Sequence, residues 1–257
     1  MQPVTEAAAQ SSPPARRGSG TVRFLRDILI IILIALVVSF VVKTFLVRSF
    51  YIPSGSMEHT LEINDRILVN ELVPGVGALK RGDVVVFTDP GGWLTGEETS
   101  AGTTPTGLAW LLDVTGLVPA DSDNHLIKRV IGLPGDTVTC CSVAGHLTVN
   151  GTPITEPYIN VKAGKKAAQY RFSVTVPKNR LWVEGDNRYN SADSAYNRHI
   201  GTPGGGFVPV SDVVGRAFVI TWPSAHWGWL SNFPSVFADV PTPKAAAAGT
   251  AATTSGR

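Results

Sequence analysis

The chain begins polar and then turns abruptly apolar. Residues 1–20 are rich in Ala, Ser, Pro and Gly and show no hydrophobic period, which reads as a disordered tail. Residues 28–42 carry no charge, and Ser39 is their only polar member. Lys43 interrupts the run and 44–47 resume it, so that 28–47 approaches the ~20 residues of a bilayer-spanning helix. The pattern predicts a transmembrane helix over 27–47. A cleaved secretory signal fits less well, because the run is long and no A-x-A-like site follows it. A buried core helix is the other alternative. Arg16, Arg17, Arg23 and Arg26 precede the run, whereas Lys43 and Arg48 flank its far end. The positive-inside bias then keeps the N-terminus in the cytoplasm and sends everything after Arg48 outside.

Beyond Arg48 the period changes. Segments 66–70, 83–88, 124–131, 147–150, 170–176, 181–185 and 213–221 are short and rich in Val, Ile, Leu or aromatics. Gly, Pro or Asn bound them, as expected of strands. Asn150-Gly151 is a hairpin signal. Residues 91–123 read as a long loop insertion in which 108–112 suit a short helix. Residues 201–206 are a Gly-rich loop, and 241–257 are a low-complexity tail.

Composition sharpens this picture. Of 257 residues, 44% are hydrophobic and only 16% charged, which suits a membrane-attached chain. Gly (26) and Pro (18) are plentiful, favouring a turn-rich β body over a helical bundle. The net charge is +2 without a Lys/Arg block, so no nucleic-acid partner is indicated. The two cysteines, Cys140 and Cys141, are adjacent. Neighbouring cysteines rarely pair, so they read as ordinary strand or loop residues, with a redox or intermolecular role as the alternative. No C-x-x-C supports a zinc site.

Three stretches carry candidate chemistry. Ile52-Pro53-Ser54-Gly55-Ser56-Met57 follows the span, and a Ser beside Gly in a tight loop can expose both its hydroxyl and its backbone N–H groups. Residues 126–136 read as a strand ending in a Pro-Gly-Asp turn, with Lys128 and Arg129 on opposite faces. Residues 185–194, Gly-Asp-Asn-Arg-Tyr-Asn-Ser-Ala-Asp-Ser, can build a turn from their own Asx and Ser side chains. Each alone also fits a plain linker, a solvated strand lysine or a polar loop.

Together, in this order and behind one N-terminal span, these stretches and Arg81-Gly82-Asp83-Val84-Val85-Val86-Phe87 resemble bacterial type I signal peptidases over roughly residues 48–222. The resemblance implies Ser56 as nucleophile and Lys128 as general base. It implies Ser54, with the Ser56 N–H, as the oxyanion hole, and Ser191 as the hydroxyl that orients the lysine. Arg129 and Asp186 match a structural charge pair, and Asp193 a residue supporting the site. Phe50, Ile52, Met57, Leu61 and Ile127 match positions near the small-residue substrate pockets. The sequence departs from the family pattern at His59, where Pro is usual, and at Ala195, where Arg is usual; Arg198 is a candidate substitute partner for Asp193.

The implied fold is mostly β: one transmembrane helix, then a two-part antiparallel extracytoplasmic body of the kind shared with self-cleaving repressors. Its expected parts are a cytoplasmic tail (1–26), the span (27–47), a catalytic core (48–138 and 184–223), an inserted hairpin subdomain (139–183) and a C-terminal extension (224–257). The implied partners are the lipid bilayer and secretory precursors cut after Ala-x-Ala; no cofactor is implied. A free lysine, with a pKa near 10.4, is neutral only to about one part in a thousand at pH 7. A useful base needs that value brought down toward about 8, which burial does. His59 is the rival base. Ser56 follows the end of the run at Val47 by nine residues, at most about 30 Å of chain, so the site is expected near the outer membrane surface. A divergent inactive homologue and a non-catalytic membrane-anchored binding domain are the competing readings.

Overall fold

The computed structural model describes residues 19–94 and 124–243. The predicted short helix at 108–112 and most of both tails lie outside the described residues. The chain divides into two compact units, Met1–Val42 and Lys43–Arg257.

The first unit contains most of α1 (Ser19–Phe45). Apolar side chains from Val22 to Val38 are exposed on every side of it, so the helix has no single buried stripe. The segment 22–39 also carries Arg23, Arg26 and Asp27. Among the described residues, no helix is long and apolar enough to cross a membrane. The helix starts earlier than the expected span and stops short of its end. Val47 leaves the apolar run and pairs with Asn70 as the first residue of a strand.

The second unit is built on two antiparallel sheets. The larger has eight strands among the described residues, in the order β1-β2-β11-β3-β4-β9-β10, with β12 added to β11. These are β1 (Val47–Tyr51), β2 (Arg66–Asn70), β3 (Val84–Thr88), β4 (His125–Gly132), β9 (Arg180–Glu184), β10 (Val208–Pro209), β11 (Val213–Trp222) and β12 (Gly228–Trp229). The smaller has the order β7-β6-β5-β8. It is formed by β5 (Thr137–Cys140), β6 (Leu147–Val149), β7 (Thr152–Pro153) and β8 (Phe172–Thr175). Asn150 and Gly151, both at positive φ, make the β6–β7 turn, as the Asn-Gly signal predicts.

Strand β4 lies inside the larger sheet, between β3 and β9. Its register sets Val85 opposite Lys128 and Val84 opposite Arg129 on β3. On its other side it pairs with β9 only from Arg129 to Gly132. Alternation sends Ile127 into an apolar cluster with Phe50, Ile52, Met57 and Leu61. Leu126 and Val130 enter a separate cluster with Phe87, Trp93 and Val183. The third cluster fills the smaller sheet, around Trp182, Leu147 and Ile154.

The cysteines differ from the sequence reading. The Cys140–Cys141 peptide is cis. Their Cα atoms stand 3.0 Å apart and the two sulfurs are bonded to each other.

Candidate active site

Ser56 lies in a short 3-10 turn, Gly55–Met57, just after β1. Ser56 and Lys128 are both buried, with 7% and 4% exposure. Lys128 reaches from β4 so that Nζ stands 2.8 Å from Ser56 Oγ and donates to the Ile127 carbonyl at 3.0 Å. Ser54 Oγ is 3.4 Å from Ser56 Oγ. All three residues line one cleft of about 710 Å³, which Ser191 also lines.

The 185–194 loop presses on this pair from below. Asn187 N–H donates to the Ser56 carbonyl at 3.1 Å, and Asn187 Nδ2 to the Gly55 carbonyl at 3.1 Å. Gly185 is a close approach: a Cβ there would stand 2.5 Å from the Ser56 carbonyl oxygen and 2.3 Å from Ser191 Oγ. Neither Gly185 nor Asn187 is singled out by sequence reasoning. Only the spacing of a Gly directly ahead of the Asp-Asn turn hints that backbones meet there.

The expected charge pair forms. Arg129 donates to both oxygens of Asp186, at 2.8 and 2.6 Å, and to the carbonyls of Gly82 and Ser231. Thr60 Oγ1 donates to the same carboxylate, and the guanidinium lies 4.0 Å from the Tyr158 ring centre. Asp193 caps α2 (Ser194–Ile200), accepting from the N–H groups of Ala195 and Tyr196, and takes a third hydrogen bond from Gly185 N–H at 3.1 Å. Burial pushes its carboxyl above the usual range, while the N–H donors of Gly185 and Tyr196 pull it down. Among the described residues no ion pair joins Arg198 to Asp193, whose carboxylate accepts from the N–H groups of Gly185, Ala195 and Tyr196. Ala195 is buried in the Trp182 cluster.

His59 takes φ +84° and lines a separate, smaller groove. Proline, locked near φ −65°, could not adopt that backbone. Phe50, Ile52, Met57, Leu61 and Ile127 come together in one buried cluster beside the cleft. A second buried network, also unforeseen, lies under the loop. Arg188 bonds Glu156, the Gly185 carbonyl at 2.9 Å and the Ala167 carbonyl at 2.6 Å, and stands 3.4 Å from Glu184. Burial drives the Glu184 carboxyl up to about 8, against the pull of Arg188. Among the described residues, no three His, Cys, Asp or Glu side chains group as metal ligands.

A buried hydroxyl thus stands against a buried amine in a cleft on an antiparallel β body, an arrangement in which the amine can take the hydroxyl's proton. The sequence comparisons give the family. The signal peptidase, peptidase S26 family model matches residues 25–222. A probable signal peptidase I of Mycobacterium leprae is 38% identical over 258 residues, spanning 90% of this chain and 86% of that one. A signal peptidase I of Mycobacterium tuberculosis is 39% identical over 243 residues, spanning 87% and 80%. A solved signal peptidase I from Enterococcus faecalis is 25% identical and covers 54% of this chain and 95% of its own, with a TM-score of 0.34. The chain belongs to the signal peptidase family, peptidase S26.

Proposed function

We propose that this chain is a membrane-anchored serine endopeptidase that removes N-terminal signal peptides from secretory precursors, with Ser56 as nucleophile and neutral Lys128 as general base. The observation that carries the reading is the 2.8 Å approach of Lys128 Nζ to Ser56 Oγ in a buried cleft. Burial disfavours an ammonium relative to a neutral amine, which is the form a base requires.

In the reaction, Lys128 Nζ takes the Ser56 proton as Oγ bonds to the scissile carbonyl carbon. The oxyanion sits between the Ser56 N–H and the Ser54 hydroxyl. Lys128 then returns the proton to the leaving amine as the C–N bond breaks. Lys128 next takes a proton from water as the water oxygen bonds to the acyl carbon, and returns that proton to Ser56 Oγ as the ester C–O bond breaks, freeing the signal peptide as its carboxylic acid. Ser191 lines the cleft with its Oγ buried, and we assign that hydroxyl to orient the amine; Asp193 accepts from the Gly185 N–H and so holds the turn that meets Ser56.

The substrate enters extended. The β4–β9 ladder covers only Arg129–Gly132, and the 125–128 segment borders the cleft instead. A peptide laid beside that segment continues the sheet where β9 leaves it. The side chains one and three residues before the cut then point toward Ile127, Phe50 and Ile52, whose shallow apolar surroundings suit Ala. The anchor is the uncharged run 28–42, carried by a helix that shows apolar side chains all round, a surface that calls for lipid. The arginines ahead of it keep the N-terminus cytoplasmic.

The test is to incubate the purified full chain in detergent with a secretory precursor and map the new N-terminus by mass spectrometry. Wild type is expected to cut after Ala-x-Ala and Ser56→Ala to leave the precursor intact. An intact precursor with wild type would move the inactive-homologue reading to the front.

A further inference from the structure

The long insertion after β3 begins with a built wall of the cleft. Asp89 fixes it: its carboxylate accepts from the N–H groups of Gly91 and Trp93, both at 3.0 Å, and of Leu94 at 3.3 Å. The Asp89 N–H in turn donates to the Asn124 carbonyl at 3.1 Å, so the two ends of the insertion are tied together. Trp93 is only 4% exposed and stands edge-on to Phe87, with ring centres 5.8 Å apart. Leu94, partly buried, packs against the same cluster as Leu126. Trp93 and Leu94 both line the cleft that holds Ser56 and Lys128.

Their side of β4 matters. His125 and Ile127 face the Phe50 cluster, the His125 ring lying 5.3 Å from that of Phe50. Leu126 faces the opposite way, toward Trp93. An extended peptide beside β4 alternates in the same manner. If its first and third residues before the cut point to the Ile127 face, the second points to the face that Trp93 and Leu94 close.

Resting on the peptidase reading above, we propose that Trp93 and Leu94 form a subsite for the second residue before the cut, one that takes an apolar side chain. Pinning by Asp89 makes the wall rigid, so an apolar residue there removes water from both surfaces. A charged residue would be desolvated against leucine and indole.

The experiment uses the full-length protein in detergent and five precursors differing only at that position: Ala, Leu, Phe, Lys or Asp. Wild type is expected to show kcat/KM for Leu about tenfold or more above that for Asp. Leu94→Ala should shrink this ratio, and Leu94→Lys should raise Asp relative to Lys, with the preference for Ala at the first and third positions unchanged in both. Leu94 is partly exposed, so these variants leave the core intact. A wild type that cuts all five at one rate overturns the subsite and leaves the peptidase reading standing. So do Leu94 variants that scale all five rates by one factor. A wild type that cuts none overturns both.

Discussion

At the scale of single residues, the account turns on which atoms must touch. Gly185 is a sharp case, since any side chain there meets the Ser56 carbonyl and the Ser191 hydroxyl. Gly185→Ala is expected to displace the nucleophile's turn by a good fraction of an ångström and to lower kcat by about 100-fold. Unaltered steady-state cleavage by a folded Gly185→Ala protein would contradict the packing. The Arg129–Asp186 pair is fully buried, so Arg129→Met strands a carboxylate and should cost about 3–5 kcal/mol in denaturant unfolding. Pairing it with Asp186→Leu should recover most of that loss, because two apolar groups replace two charges. The sequence named Ser56, Lys128, Arg129 and Asp186 through resemblance. It could not name Gly185 or Asn187, whose importance lies in backbone contacts that join residues more than a hundred positions apart in the chain. Nor could it name Glu156, which pairs with Arg188 across 32 positions of chain.

At the scale of elements, legibility followed how closely each pattern matched one period. β2, β3, β4 and β11 alternate or run apolar between turn residues, and they lie where the pattern predicts. β1 was hidden because its first residue ends an apolar run that reads as helix; pairing with β2 overrides that tendency. α2 was hidden inside a polar loop, although Asp193 ahead of it is a capping residue and Gly201 closes it at φ +76°. β9 carries a testable electrostatic consequence in Glu184. Its ordinary value is near 4.5 and its folded value about 8, so the folded protein keeps a proton that the unfolded chain releases. That contribution is complete below about 4.5 and is lost as pH rises to about 8. Glu184→Gln should therefore gain thermal midpoint relative to wild type steadily from pH 5 to pH 8. A difference that does not change with pH would contradict the raised carboxyl. Asp193 shifts in the same direction, so the variant should retain part of the wild-type slope.

At the scale of the whole molecule, the chain joins α1, most of which lies in one compact unit, to a β body that lies in the other. Every strand of both sheets lies beyond residue 46, so removing residues 1–42 takes away none of the strands or the Ser56–Lys128 pair. The shortened protein is expected to stay in solution without detergent and to cut a short peptide substrate at close to the full-length rate. It should cut a precursor embedded in vesicles much more slowly, since it lacks the apolar run proposed to hold it at the bilayer. Vesicle flotation and cleavage of the two substrates measure this. Equal cleavage of the embedded precursor by both forms would remove the reason for an anchor. The overall β architecture was readable from the many short apolar segments and turn signals. The close contact of the 185–194 loop with the 55–56 turn was not, because it depends on long-range pairing that local pattern does not encode.

The most direct test of the central claim is the rate of precursor cleavage against pH, from 6 to 10, for wild type, Lys128→Ala and Lys128→Arg. The account predicts that wild-type activity rises with an apparent pKa well below the 10.4 of a free lysine, and that both variants are inactive, arginine because it stays charged. A Lys128→Ala enzyme that cuts at the wild-type rate would contradict it and turn attention to His59.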